Sequence, residues 1–160
     1  MQNSTFLRGG LNMSKGEEKI IKLLKNDKYK FEREKRFSDL KKGLYRFDFY
    51  VVGGRSTPCA LEYQGEQHYQ YISKFYNTHA EFERAKERDR RKISYCLTHN
   101  IPIYIIPYWE LDNLHTAADL FNPRFRATSK WKNDLDWREY QNLTKRSKIC
   151  YTIIEERINK

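Results

Sequence analysis

The spacing of apolar and polar positions changes repeatedly along the chain, and each change marks an element. Ser14-Lys15-Gly16-Glu17 has the form of a capping box, and Ile20, Ile21, Leu23 and Leu24 follow at helical spacing, which predicts a helix of roughly three turns. Residues 29–37 (YKFEREKRF) alternate imperfectly and carry charge at most polar positions, as an edge strand does. The clearest strand is 44–52 (LYRFDFYVV). Tyr45, Phe47, Phe49 and Val51 would share one face, with Arg46, Asp48 and Tyr50 on the other. A Gly-Gly-Arg-Ser-Thr-Pro turn leads into ALEYQGEQHYQ, residues 60–70, where Leu61 and Tyr63 alternate with Glu62 and Gln64 until Gly65 ends the strand. Asn77 and Thr78 are candidate caps for a long helix over about 79–98. On it, Phe82, Ala85, Ile93 and Cys96 form an apolar stripe that also contains Asp89, while Arg84, Lys86, Arg88, Arg90, Arg91 and Lys92 are assigned mostly to the solvated side. Residues 101–107 (IPIYIIP) read as a buried strand bounded by proline.

Strand, strand, helix, strand in this order predicts an α/β fold, a mixed central sheet with a crossover helix packed on it. Residues 1–13 lack periodicity and read as a leader, and 14–160 form one domain with a core over 14–108 and a helical, basic extension over 109–160. Within the extension, 109–120 reads as helical, Asn122-Pro123 as a break, and 143–158 as an amphipathic helix through Ile149, Ile153, Ile154 and Ile158.

Charge sharpens this picture. The 160 residues hold 31 Lys and Arg against 21 Asp and Glu, a formal net charge of +10, which favours a polyanionic partner, nucleic acid first among them. No apolar run reaches the length of a membrane helix and the N-terminus lacks the apolar centre of a signal peptide, so a cytosolic protein is expected. Cys59, Cys96 and Cys150 have no metal-ligand spacing and are expected as reduced packing residues.

Candidate chemistry gathers on the two central strands. Asp is a poor strand former, yet Asp48 sits among aromatic residues, and Glu62 lies on the next strand. Two carboxylates brought side by side repel unless a cation joins them, and Mg²⁺ takes oxygen ligands while leaving room for a phosphate. Gln64 could orient a water and His68 could move a proton. Each has a structural alternative: Asp48 in an ion pair with Arg33 or Arg46, His68 in a loop hydrogen bond, Asp89 bonded to a loop amide or an arginine of its own helix, Glu17 as a cap.

RFDFYV, LEYQGEQHY and ERDRRKISYCLTHNIPIYIIP, in this order, resemble the PD-(D/E)xK nuclease superfamily, closest to the branch of very-short-patch-repair and phage homing endonucleases described by a Glu, Asp, His, Asp pattern. The likeness spans about 14–108, with its specific core over 46–107. It implies a restriction-endonuclease-like fold, a mixed central β-sheet flanked by α-helices. It also implies that Asp48 binds the metal, Glu62 is the acidic member of the second motif, His68 the catalytic histidine, Asp89 the helix aspartate and Glu17 the first-helix glutamate. Gln64 stands where the family usually has Lys, and an amide supplies neither the charge nor the proton of an ammonium.

The resulting expectation is a Mg²⁺-dependent DNA endonuclease, phage-encoded or associated with a mobile element, in which Mn²⁺ substitutes for Mg²⁺. Asp48 and Glu62 would hold the metal, and Arg46, Arg88, Arg91, Lys92, Arg124, Arg126, Lys130 and Lys132 would meet nucleic acid. A homodimer or a partner protein would supply specificity. The alternatives are a nuclease-fold module that binds nucleic acid without cutting it, and a component of a phage or repair complex whose basic face meets an acidic protein.

Overall fold

The computed structural model describes residues 13–128. The leader apart from Met13, the helix expected over 143–158, Cys150, Lys130 and Lys132 lie outside the described residues.

Helix α1 spans Lys15–Asn26 and begins with the capping box: the Glu17 amide donates to Ser14 Oγ at 3.1 Å, and the Glu17 carboxylate accepts from the Ser14 amide at 3.0 Å. Four strands follow, β1 (Lys30–Arg36), β2 (Arg46–Gly53), β3 (Cys59–Gln64) and β4 (Ile103–Pro107), in the spatial order β1-β2-β3-β4. The first two pairings are antiparallel; β3 and β4 are parallel, joined by the crossover helix α2 (His79–Thr98). Such a connection is long because a parallel partner must be entered from the opposite end of the sheet. The expected mixed sheet flanked by helices is therefore present, with charged β1 at one edge.

Each face of the sheet has its own core. Ile20, Leu23 and Leu24 of α1 pack with Phe49, Val51, Leu61 and Ile106, and the layer is completed by Leu114, Leu120 and Phe125. On the other face Ile93 and Cys96 of α2 meet Phe47, Ala60, Ile103 and Ile105. Fully buried residues such as Leu24, Leu61 and Ile105 each contribute about 1.5–3 kcal/mol by leaving water.

This division corrects the single apolar face expected of β2. Phe47 packs on the α2 side while Phe49 and Val51 pack on the α1 side, so the strand changes faces at Asp48. Two local features produce the change. Glu34, opposite Asp48 in a register fixed by Arg33↔Phe49 and Lys35↔Phe47, has a left-handed backbone with φ of 56°. On its other side β2 pairs with β3 only over Phe49↔Leu61 to Val51↔Cys59, so Asp48 has already left that ladder. A left-handed glutamate costs on the order of 1–2 kcal/mol, and strain of this kind collects at functional sites.

Beyond β4, the helix expected over 109–120 is replaced by a 3₁₀ turn, Tyr108–Asn113, and a short α3, Ala117–Leu120. The His115 and Thr116 amides donate to Asp119 Oδ2 at 2.7 and 2.9 Å, a cap for α3 that competes with a continuous helix. Among the described residues no helix is long and apolar enough to cross a membrane.

Candidate active site

The site forms where β2 and β3 part. Past the Phe49↔Leu61 pair, the Tyr63 amide has no ladder partner on β2 and instead donates to Asp48 Oδ2 at 2.9 Å. Asp48 is half-buried, and burial, with Glu17 adding to it, pushes its carboxyl up to about 6 against the opposing pull of Lys92 and the Tyr63 amide. A cavity of about 650 Å³ opens here. Its buried lining includes Glu62, Asp89 and Lys92, with Asp48 and His68 half-buried beside them. The exposed residues Arg46, Arg84, Arg88 and Arg91 also line it, together with Glu34 and Glu87.

Glu17 reaches this site from α1. Gly16 permits the approach: a Cβ there would lie 2.3 Å from the Tyr63 ring, so any other residue requires that ring to move. Carboxylate oxygens of Glu17, Glu34 and Asp48 lie within 4.8 Å of one another. Glu17 also accepts from Arg33 Nη2 at 3.0 Å, and Glu34 pairs with Arg46 at 2.7 Å. Glu17 is thus both the cap of α1 and a neighbour of Asp48. The ion-pair alternative for Asp48 assigns its arginines wrongly, since Arg33 and Arg46 are held by Glu17 and Glu34.

Gly65 ends β3, and a 3₁₀ turn, Glu66–His68, carries His68 back over the sheet. Its Nδ1 stands 3.0 Å from Asp89 Oδ2 on α2. A carboxylate accepting from Nδ1–H fixes the ring and puts the lone pair on Nε2, the tautomer required of a base. Asp89 does lie in the buried stripe with Phe82, Ile93 and Cys96, as its spacing implied.

Lys92 does not lie on the solvated side of α2. Its side chain is 9% exposed, Nζ sits 2.6 Å from Glu62 Oε1, and the ammonium also faces the Phe47 ring. Burial works to lower its pKa, but Glu62 and Asp48 outweigh this and hold it above the ordinary value. Burial, reinforced by Asp48, pushes Glu62 well up in turn. Gln64, on the same strand, is 1% exposed and is not among the residues lining the cavity. Of the remaining basic residues, Arg46, Arg88 and Arg91 line the cavity from exposed positions. Arg124 is instead tied to buried Glu110 at 3.0 Å, and Arg126 bridges to Tyr104 of β4; neither lines the cavity.

Glu34 was missed by the sequence reading, and Lys92 was named there only as a solvated contact to nucleic acid. Glu34 looked like one more charge on an edge strand, and nothing in its spacing announces a left-handed backbone. Lys92 had a signal: it follows Asp89 by three residues and precedes Cys96 by four, which puts it on the buried stripe. No family model, curated protein or solved structure matches the chain.

Proposed function

We propose that this protein is a divalent-cation-dependent nuclease that hydrolyses DNA phosphodiester bonds on a restriction-endonuclease-like scaffold. The observation that carries the reading is the convergence, in one arginine-lined cavity, of Asp48, Glu62, Lys92 and the His68–Asp89 pair. The donor set suits a hard cation: Glu17, Glu34 and Asp48 offer only carboxylate oxygens, the ligands Mg²⁺ and Mn²⁺ prefer. Asp48 would hold the ion, with Glu17 and Glu34 beside it and Glu62 on the neighbouring strand. When bound, such an ion supplies Lewis-acid charge to a phosphate oxygen and lowers the pKa of a nearby water.

The chain's own residues account for the rest. His68, oriented through Nδ1 by Asp89, takes a proton from water at Nε2 as the water oxygen bonds to phosphorus. The bond from phosphorus to the sugar oxygen breaks in the same displacement, and that oxygen leaves with a proton from solvent. Arg46, Arg84, Arg88 and Arg91 hold the flanking phosphates, contacts that position the strand without reading its sequence.

Cleavage of supercoiled, linear and single-stranded DNA with Mg²⁺ or Mn²⁺ tests the reading. Asp48→Ala and Glu62→Ala should each lose at least about 100-fold, and His68→Ala about 10²–10⁴-fold. A folded parent that cuts none of the three substrates with either ion overturns it. One observation supports the non-catalytic alternative: Glu62 already has a cation in Lys92. Salt-dependent DNA binding that ignores both Mg²⁺ and Glu62→Ala would select that alternative.

A further inference from the structure

We infer that Lys92 is the phosphodiester-binding cation of this cavity, its ammonium fixed by Glu62 so that it meets the oxygen on which negative charge accumulates. The inference rests on the nuclease reading and narrows the contact expected of Lys92 from nucleic acid in general to the reacting phosphodiester.

Four observations lead to it. Among the described residues lining the cavity, Lys92 is the one buried Lys or Arg, whereas Arg46, Arg84, Arg88 and Arg91 are exposed. Two of those four are also engaged by carboxylates, Arg46 by Glu34 and Arg91 by Glu87. Nζ is ion-paired with Glu62 Oε1, and among the described residues no further ion-pair or hydrogen-bond partner of Nζ is found, so an ammonium with three donors keeps capacity for a ligand oxygen. Finally, both members of the pair line the open cavity, although Phe47, Ile93, Cys96 and Ile105 form an apolar cluster directly behind them.

The last point weighs against a merely structural pair. A buried ion pair seldom adds net stability over apolar side chains of similar volume, and this core could have continued outward with another leucine. An ammonium held in place by a buried carboxylate is well suited to stabilise a phosphoryl oxygen, because it needs no reorganisation when charge develops there. Gln64, uncharged and outside the cavity lining, cannot do this, and the long stem of a lysine on α2 brings the charge in from the opposite layer.

Removing Lys92 alone would leave Glu62 buried without its partner and could unfold the protein, so the test uses the Glu62→Gln background. If Lys92 serves only to neutralise Glu62, then Glu62→Gln/Lys92→Met cuts plasmid DNA as fast as Glu62→Gln, and the inference is overturned while the nuclease reading stands. If Lys92 meets the phosphate, the double variant loses on the order of a further 100-fold in kcat with little change in KM.

A second measurement does not depend on cleavage. In Ca²⁺-saturated protein labelled with ¹⁵N-lysine, the Lys92 ammonium resonance is followed during titration with a thymidine dinucleotide, which carries a single phosphodiester. A saturable shift, absent when uncharged thymidine is added, supports the inference even if the parent cuts nothing and the nuclease reading fails. A Lys92 resonance that stays still at saturating dinucleotide overturns it, whatever the cleavage result.

Discussion

Replacing Asp48 by asparagine probes the electrostatics of the site without requiring turnover. In the folded protein burial pushes the Asp48 carboxyl from 3.8 to about 6. At pH 7.5 without divalent ions the group is charged in both states, and holding it charged in the fold costs on the order of 3 kcal/mol relative to the unfolded chain. The sign follows from proton binding: between about pH 4 and 6 the folded state keeps a proton that the unfolded state has released. The fold is therefore most stable, with respect to this group, at the acid end, and loses that stability as pH rises through about 6. Asparagine carries no charge and retains an oxygen to accept from the Tyr63 amide. Asp48→Asn should accordingly be more stable than the parent by about 1–3 kcal/mol at pH 7.5 in EDTA, and the gain should shrink below about 1 kcal/mol at pH 4. Urea unfolding followed by circular dichroism at the two pH values measures both numbers. Mg²⁺ at ten times its dissociation constant should then stabilise the parent by about 1.4 kcal/mol and leave the variant where it was. An asparagine variant no more stable than the parent at pH 7.5, or a gain independent of pH, would show that burial does not raise the Asp48 carboxyl in this way.

Other positions give sharper local outcomes. Glu34→Gly relieves the left-handed backbone at φ of 56° and removes one carboxylate of the acidic group, so stability should hold or rise by about 1 kcal/mol while Mn²⁺ affinity, read by calorimetry, falls at least about tenfold. Gly16→Ala should destabilise the protein by about 1–3 kcal/mol in thermal unfolding despite alanine's helix propensity, because the new Cβ would displace the Tyr63 ring. Cys59 and Cys96 are buried, and burial pushes their thiols up to about 11 and about 12, so peptide mapping after treatment with a thiol reagent at pH 8 should find both unmodified until denaturant is added.

Those features were legible in the sequence to different degrees, and the difference follows the range of the interactions. The α1 cap, the β3 alternation, the stripe of α2 and the proline-bounded β4 are set by neighbours within a few residues, and periodicity reports them directly. The face change in β2 is not local to β2. It depends on a left-handed glutamate in the adjacent strand and on where β3 stops pairing, so a reading of 44–52 alone could only continue the alternation through Asp48. The region after β4 failed for a related reason: the His115 and Thr116 amides donate to the Asp119 carboxylate and start a new short helix there, and an apolar spacing can be kept without a continuous one.

The site residues divide along the same line. Asp48 could be found because aspartate is a poor strand former among aromatic residues, and Glu62 and Asp89 because a carboxylate in an otherwise apolar strand or stripe contradicts the pattern around it. Lys92 contradicts the pattern equally, being three residues from Asp89 on the same face, but it sits in the run Arg-Asp-Arg-Arg-Lys, where one more cation looks ordinary. A basic run on a helix cannot be solvated all round when one of its faces is covered by a sheet. Of Arg88, Arg90, Arg91 and Lys92, the helical angle allows only Lys92 to share the Asp89 face, and the buried acid on β3 is what makes its burial tolerable. Glu62 and Lys92 thus explain each other: the acid needed a partner within reach, and the basic helix crossing that face was the nearest source of one.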